Sequence, residues 1–218
     1  MDWSPLLISM KTSLSATACA LSLGILAAWG IRGLGGRLKA ILDVLFTLPM
    51  ILPPTVLGFG LLLLLGRNGP IGRAFLSIGV RIVFSWGATV IAATVVAFPL
   101  VYRTVRASFE QIDSAILNAA RTLGLSERSI FCRIMVPMSL PGIVAGAVLA
   151  FARALGEFGA TLMVAGNIPG RTSTIPIAIY FASEGGDDGR ALAWVLIIVA
   201  ISFTVILAMN WAGGRGRR

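Results

Sequence analysis

Histidine is absent from the 218-residue sequence, and only nine residues are acidic. The sequence also lacks a Gly-x-Ser-x-Gly nucleophile motif, a Walker-type lysine motif and paired aspartates within an apolar run. Without these groups, general acid–base catalysis and ATP binding have no obvious site. We therefore predict that the chain is not an enzyme, such as a membrane-embedded protease or phosphotransferase, and that it carries no cofactor.

Cysteine is almost as scarce, with two residues in the whole chain. Cys19 lies in an apolar run and Cys132 lies in a polar loop, and their separation fits neither a metal site nor a redox motif. The sequence therefore predicts no metal site and no disulfide framework.

Charged residues are also few, at 12%, whereas hydrophobic residues make up 57% and the mean hydropathy is +0.91. This composition is that of a membrane protein. About 20 apolar residues span a bilayer as a helix, and the chain contains five runs of roughly that length. We predict an all-α polytopic protein, with residues 1–218 forming one transmembrane domain. The predicted spans are 12–31, 41–65, 82–105, 138–164 and 191–211.

The basic residues are distributed unevenly over the predicted loops. Of the 18 Lys and Arg residues, eleven fall on one side of the membrane, six on the other, and Arg153 lies within a span. Because basic residues favour cytoplasmic loops, we predict the N-terminus outside and the C-terminus in the cytoplasm. The net charge of +9 is interpreted as a topology signal rather than as a nucleic-acid footprint.

The longest cytoplasmic loop, approximately 106–137, contains a predicted pair of short helices. Asp113 or Ser114 is expected to cap the first helix, and Ser126 the second. Gly124 suits the left-handed position that ends the first helix. A helix-turn-helix that reads DNA is an alternative, but the loop is too short for an independent DNA-binding domain.

The first loop helix is predicted to be amphipathic. Ile116, Ala120 and Leu123 follow one another at helical spacing on one face. Such a helix, with a small alanine face, is shaped to enter a cleft in a partner. The alternative is that it lies passively on the bilayer surface.

The loop sequence AARTLGLSERSIFCRIMVP resembles the EAA loop of ABC-importer permeases, which docks on the ATP-binding subunit. Asn118 stands where that family usually has Glu, and Val136 where it usually has Leu. By this resemblance the predicted ATPase-coupling residues are Asn118, Ala119, Ala120, Gly124, Ile134 and Pro137. A passive anion channel is an alternative function, but it has no use for such a loop.

Three further segments are similar to molybdate permeases: LPMILPPTVLGFGLLLLLGRNGPIG, LPGIVAGAVLAFARALGEFGATL and NIPGRTSTIPIAIY. Sulfate and thiosulfate permeases share much of the sequence of these segments, so sulfate is the alternative substrate to molybdate or tungstate. The resemblance implies a homodimer in the bacterial plasma membrane, two cytoplasmic ATP-binding subunits and an extracytoplasmic oxyanion-binding protein. ATP-driven alternating access would be the mechanism.

The second predicted span is interrupted by prolines. Broken backbone within a membrane is tolerated where it is buried in protein or lines a water-filled cavity. We predict a gate or pathway wall that includes Pro53, Pro54, Thr55 and Gly58. An ordinary packed kink is the alternative.

Arg153 and Glu157 are interpreted as the only charges clearly within a span. Four residues apart on one predicted helix, they are expected to neutralise each other. A purely structural ion pair is one interpretation, and a site that attracts a tetrahedral anion is the other.

The segment 167–190, which contains NIPG and four charged residues before Arg190, is predicted to be an external loop that meets the binding protein. An idle solvated loop is the alternative.

Overall fold

A computed structural model describes residues 2–215, and among these it describes the side chains of 2–205 and 207. All regular elements in this part of the chain are helical. The helices are α1 (Ser4–Gly30), α2 (Gly36–Ile51), α3 (Pro54–Leu65), α4 (Pro70–Leu76), α5 (Trp86–Glu110), α6 (Ser114–Thr122), α7 (Glu127–Ile130), α8 (Val136–Met138), α9 (Leu140–Leu155), α10 (Gly159–Ala165), α11 (Ile175–Glu184) and α12 (Asp188–Arg215). A 3₁₀ turn (Ile31–Gly33) follows α1, and a π turn (Phe131–Met135) joins α7 to α8.

The core is formed by α1, α5 and α9, which pack against one another over much of their length. The interfaces are made of small residues: Ala16, Ala20, Ala93 and Ala97 are fully buried. At Gly24, an added Cβ would lie 2.7 Å from Cγ1 of Val101, so the two backbones approach more closely than any other residue allows. Small residues at helix contacts give this close packing in membranes.

The predicted all-α membrane fold is confirmed, and α1, α5 and α12 are each long and apolar enough to cross a bilayer. Two predicted spans are not continuous helices: the second is broken at its prolines, as predicted, whereas the division of the fourth was not predicted. The run 41–65 divides into α2 and α3, whose axes differ by 115°. The run 138–164 divides into α9 and α10. A second bend, of 73°, lies between the segment Glu127–Met138 and α9, and counting each of these two bent pairs as one span gives up to five spans in the described residues.

Two predicted loops also have different bounds. Helix α5 continues to Glu110, so the loop after it begins at residue 111 rather than 106. The segment 167–190 contains the whole of α11, whose first residues are buried, and so it is not a simple loop. Of the residues used for the orientation, Arg217 and Arg218 lie outside the described part of the chain.

Candidate coupling loop and substrate pathway

The turn between α6 and α7 has the geometry that the sequence predicts. The backbone N–H of Ala115 donates to Oδ1 of Asp113 at 2.8 Å, so Asp113 rather than Ser114 caps α6. Gly124 has φ +80°. The N–H of Gly124 bonds to the carbonyl of Arg121, and that of Leu125 to the carbonyl of Ala120. This pair of bonds is a Schellman motif, which requires the left-handed residue that glycine supplies.

The face of α6 that packs against the protein differs from the predicted one. Leu117 and Ala120 are buried, at 3% and 4% exposure, whereas Ile116 and Leu123 are 41% and 82% exposed. Leu117 and Ala120 join the core cluster that includes Phe109. Helix α6 is therefore amphipathic, as predicted. Its packed face carries Leu117 and Ala120, however, and the apolar side chains of Ile116 and Leu123 point outward. Ala119 is exposed and Ala120 is not, so the two alanines do not form one outward face.

Polar contacts join the first helix of the loop to the second. Arg121 donates from Nη1 to Oδ1 of Asn118 at 2.9 Å and forms an ion pair with Glu127 at 2.6 Å. The hydrogen bond from Arg121 lowers the pKa of the Glu127 carboxyl below its ordinary value. Ser126 caps α7 by accepting from the N–H of Ser129. Asn118 thus orients an arginine within the loop.

Aromatic packing, which the sequence analysis missed, fastens the second half of the loop to the core. Phe131 lies 4.7 Å from Trp29 of α1 and 6.2 Å from Phe109 of α5, between ring centroids. Ile134 is half-buried and Pro137 is exposed. In the sequence, the only signal of this contact was an aromatic residue in a loop next to an apolar span.

The break between α2 and α3 opens a cavity of about 320 Å³, called here the proline cavity. It is lined by Pro49, Met50, Pro54 and Arg153, together with Leu52, Val96 and Leu100. The structure therefore brings Pro54 and Arg153 into one cavity, although they lie far apart in sequence. Pro53 and Thr55 are exposed beside it but are not part of its lining.

Gly58 has a packing role in this chain. A Cβ at Gly58 would lie 2.7 Å from Cβ of Met163 and 2.9 Å from Cα of Ala160. Gly58 therefore lets α3 lie directly on α10. It lies outside the lining of the proline cavity.

Arg153 and Glu157 form the predicted ion pair, with Nη1 of Arg153 2.9 Å from Oε2 of Glu157. They do not share one helix, because α9 ends at Leu155. The Glu157 side chain is 2% exposed and its Oε1 accepts from the N–H of Ala160 at 2.8 Å, at the start of α10. The Arg153 side chain is 34% exposed and lines the proline cavity. Glu157 therefore anchors the pair, and Arg153 presents the charge.

A further charged residue, Asp43, forms a network that was not predicted. Asp43, inside the predicted second span, accepts a hydrogen bond from the Tyr102 hydroxyl at 2.8 Å and forms an ion pair with Arg106. Arg106 also pairs with Glu110 at 2.9 Å. An aspartate inside an apolar run was the signal for this network.

The network borders a second cavity of about 500 Å³ between α2 and α5, called here the Asp43 cleft. Its lining includes Asp43, Met50, Arg103, Arg106, Ala107 and Glu110.

At the other end of the core, the segment after α10 is tied to α1. Ser9 Oγ accepts from the backbone N–H of Ile175 at 2.8 Å, and Thr172 to Thr174 are buried. Ser183, Glu184, Asp187 and Arg190 are exposed beyond this anchor. Pro169, Gly170 and Arg171 are exposed before this anchor as well, so the predicted external loop offers open surface on both sides of the buried residues.

Comparison with known proteins identifies the class to which this architecture belongs. Residues 20–217 match the family described as "Binding-protein-dependent transport system inner membrane component". The chain belongs to this family, and it is an inner-membrane permease component.

Among individual relatives, several are named as permeases of molybdenum transport. The chain is 42% identical over 213 residues to the molybdenum transport system permease protein ModB of Escherichia coli K12, covering 96% of this chain and 93% of that protein. It is 44% identical over 206 residues to the putative molybdenum transport system permease protein YvgM of Bacillus subtilis, covering 94% and 90%. It is 40% identical to ModB of Haemophilus influenzae, covering 99% and 95%.

Solved structures confirm the fold. A bacterial ABC transporter that imports alginate matches with a TM-score of 0.77 at 16% identity, covering all of this chain and 82% of that one. The inward-facing MetNI methionine ABC transporter matches with a TM-score of 0.71 at 17% identity, covering 99% and 94%.

Proposed function

We propose that the chain is the membrane-spanning subunit of an ATP-driven importer that carries molybdate or tungstate across the bacterial plasma membrane. The observation that carries this proposal is the near full-length identity of 42% to a permease named for molybdenum transport. Sulfate or thiosulfate is the alternative substrate. A passive anion channel is disfavoured, because the loop after α5 has a capped helix and glycine turn suited to docking.

We propose that two copies of the chain form the translocation unit, with α6 of each docked on one ATP-binding subunit. The exposed apolar side chains of Ile116 and Leu123, with exposed Ala119 between them, supply a surface that can enter a cleft. Asn118, Ala120, Gly124, Ile134 and Pro137 fix the shape of this loop. Catalysis would belong to the ATP-binding subunits.

The proposed orientation places the N-terminus outside and the C-terminus in the cytoplasm. The basic residues support it, because they concentrate on the side of the α6–α8 loop. On the opposite side, the exposed residues around α11 are proposed to contact an oxyanion-binding protein. One structurally similar alginate transporter was solved in complex with a substrate-bound periplasmic protein, which is consistent with such a partner.

Within the membrane, Arg153 is proposed to attract the oxyanion in the proline cavity. Glu157 neutralises part of its charge, so that the anion is drawn in without being trapped. Pro53, Pro54 and Thr55 are proposed to form the adjoining wall, and Gly58 to hold that wall against α10.

Reconstitution tests this proposal. The chain is purified with its ATP-binding and solute-binding partners, placed in proteoliposomes, and assayed for uptake of molybdate with and without ATP. ATP-dependent uptake that tungstate suppresses more strongly than sulfate is expected. Stronger suppression by sulfate would reassign the substrate, and flux that needs no ATP would favour the channel.

A further inference from the structure

The Asp43 cleft contains charged groups that the proposed coupling and pathway residues do not include. Arg103 and Arg106 lie three residues apart on α5, so both guanidinium groups project from one side of that helix. Both line the cleft. The cleft therefore brings two cations to a partly enclosed space at the end of α5 nearest the α6–α8 loop.

The two arginines differ in their partners. Arg106 is already engaged, because its Nη1 forms the ion pair with Asp43 and its Nε donates to Glu110. Among residues 2–215, Arg103 has no carboxylate partner within ion-pair distance. Arg103 is exposed, so its guanidinium group is available to an anion that enters the cleft.

The cleft is a neighbour of the proline cavity. Met50 lines both, so the two cavities adjoin at this side chain of α2. An anion that passed Met50 from Arg153 would reach the guanidinium groups of Arg103 and Arg106. Guanidinium groups are well suited to oxyanions, because their N–H groups form paired hydrogen bonds to adjacent oxygens.

Asp43 and the arginines lie on different helices. Asp43 projects from α2, which has no fully buried residue, whereas Arg106 belongs to the well-buried α5. Movement of α2 relative to α5 would therefore separate the Asp43 carboxylate from Arg106 and leave the cleft more positive. A carboxylate on one guanidinium group is a chemical substitute for the anion that would otherwise bind there.

We propose that Arg103 and Arg106 form a contact site for doubly charged tetrahedral oxyanions, and that Asp43 is the internal anion that occupies Arg106 when no oxyanion is bound. This inference rests on the proposed oxyanion transport. With Asp43 and Glu110 both present, the charges of the cleft sum to zero, so the anion is held weakly and is released. The site is thus a second contact along the pathway, after Arg153.

Cysteine labelling tests the site without relying on transport. Cys19 and Cys132 are both exposed and are first changed to Ser. Ala107→Cys is then introduced in the lining of the cleft, and Gly33→Cys, an exposed position in the turn after α1 where an added Cβ meets nothing within 4 Å, is the matched control. The complete complex in proteoliposomes is labelled with a negatively charged thiol reagent, with and without molybdate on the side of the α6–α8 loop.

Molybdate should slow labelling of Ala107→Cys about fivefold and leave labelling of Gly33→Cys unchanged, because bound oxyanion excludes an anionic reagent. Adding Arg103→Gln should remove the protection. Adding Asp43→Asn should speed labelling and produce protection at lower molybdate concentration, whereas Asp43→Glu should restore the original behaviour.

Two outcomes would overturn the site. One is that saturating molybdate gives no protection in a complex that still takes up molybdate. The other is that Arg103→Gln leaves protection unchanged, a result that does not depend on how well Asp43→Asn folds. A complex with no ATP-dependent uptake of any oxyanion would instead reject the proposed function, so the two failures are distinguishable.

Discussion

Two arginine–glutamate pairs in this protein have the same chemistry and different surroundings. The Arg153–Glu157 pair has an N–O distance of 2.9 Å and a Glu side chain that is only 2% exposed. The Arg121–Glu127 pair is closer, at 2.6 Å, but its side chains are 46% and 58% exposed. Water screens the second pair and cannot replace the first. The distance between the atoms therefore says less about the importance of a pair than the burial of its carboxylate.

The largest expected effect comes from removing the buried carboxylate. Glu157→Ala leaves the N–H of Ala160 without its acceptor and Arg153 without its counter-ion, and should destabilise the protein by about 3 kcal/mol. Thermal unfolding of the detergent-solubilised complex and abundance in the membrane measure the loss. Glu157→Gln keeps an acceptor for Ala160 and should lose less. Unchanged unfolding of Glu157→Ala would contradict the anchoring role.

The next largest effect is expected at Gly124, whose left-handed backbone shapes the turn between α6 and α7. Gly124→Val places a β-branched residue at φ +80° and should cost about 1–2 kcal/mol of local strain. An added Cβ there contacts nothing within 4 Å, so the effect arises from the backbone alone. The variant should enter the membrane normally, yet lose ATP-dependent uptake and co-purify poorly with the ATP-binding subunit. Full uptake with full retention of that subunit would refute the coupling assignment.

A third, smaller effect is expected from Arg153→Gln, which distinguishes the role of Arg153 from that of Glu157. Arg153→Gln removes the exposed cation while Glu157 keeps its bond to Ala160, so folding should be largely preserved. Uptake at low molybdate should fall about fivefold, as expected for a lost charge–anion contact of about 1 kcal/mol. Initial rates over a range of molybdate concentrations measure this. Normal uptake at the lowest concentrations would leave Arg153 with a structural role only.

The smallest effect is expected at the exposed pair. Because Arg121 lowers the pKa of Glu127, the pair stabilises the loop above the carboxyl's ordinary pKa of 4.5, and this contribution disappears as the pH falls through the lowered value. Hydrogen exchange of α6 and α7 should therefore differ little between unsubstituted protein and Glu127→Gln at pH 7. It should become identical at pH values well below 4.5. A large difference at pH 7 would contradict the conclusion that the exposed Arg121–Glu127 pair contributes less than the buried Arg153–Glu157 pair.

The part of the molecule that was predictable from sequence is the part determined by near neighbours. The cap at Asp113, the cap at Ser126 and the left-handed Gly124 each depend on residues within one or two turns, so the local sequence specifies them. The prolines before α3 similarly predict a break in the second apolar run.

Contacts between distant segments were not predictable in the same way. Burial of Leu117 and Ala120 depends on the direction in which α6 meets Phe109, which no periodicity specifies. The partners of Asp43 lie about sixty residues away on another helix. At the break between α9 and α10, the N–H of Ala160 donates to Oε1 of Glu157. In the sequence, Glu157 is one more polar residue in an apolar run, and nothing near it indicates this role.

The aromatic contact of Phe131 with Trp29 and Phe109 has a mechanical consequence. It connects the α6–α8 loop to α1 and α5, the two helices that share the broadest interface in the core. We therefore expect the loop and the α1–α5 pair to move as one unit. Helix α2 contacts α5 through Phe46 and the Asp43–Arg106 ion pair but has no fully buried residue, so we expect it to be the less firmly held neighbour.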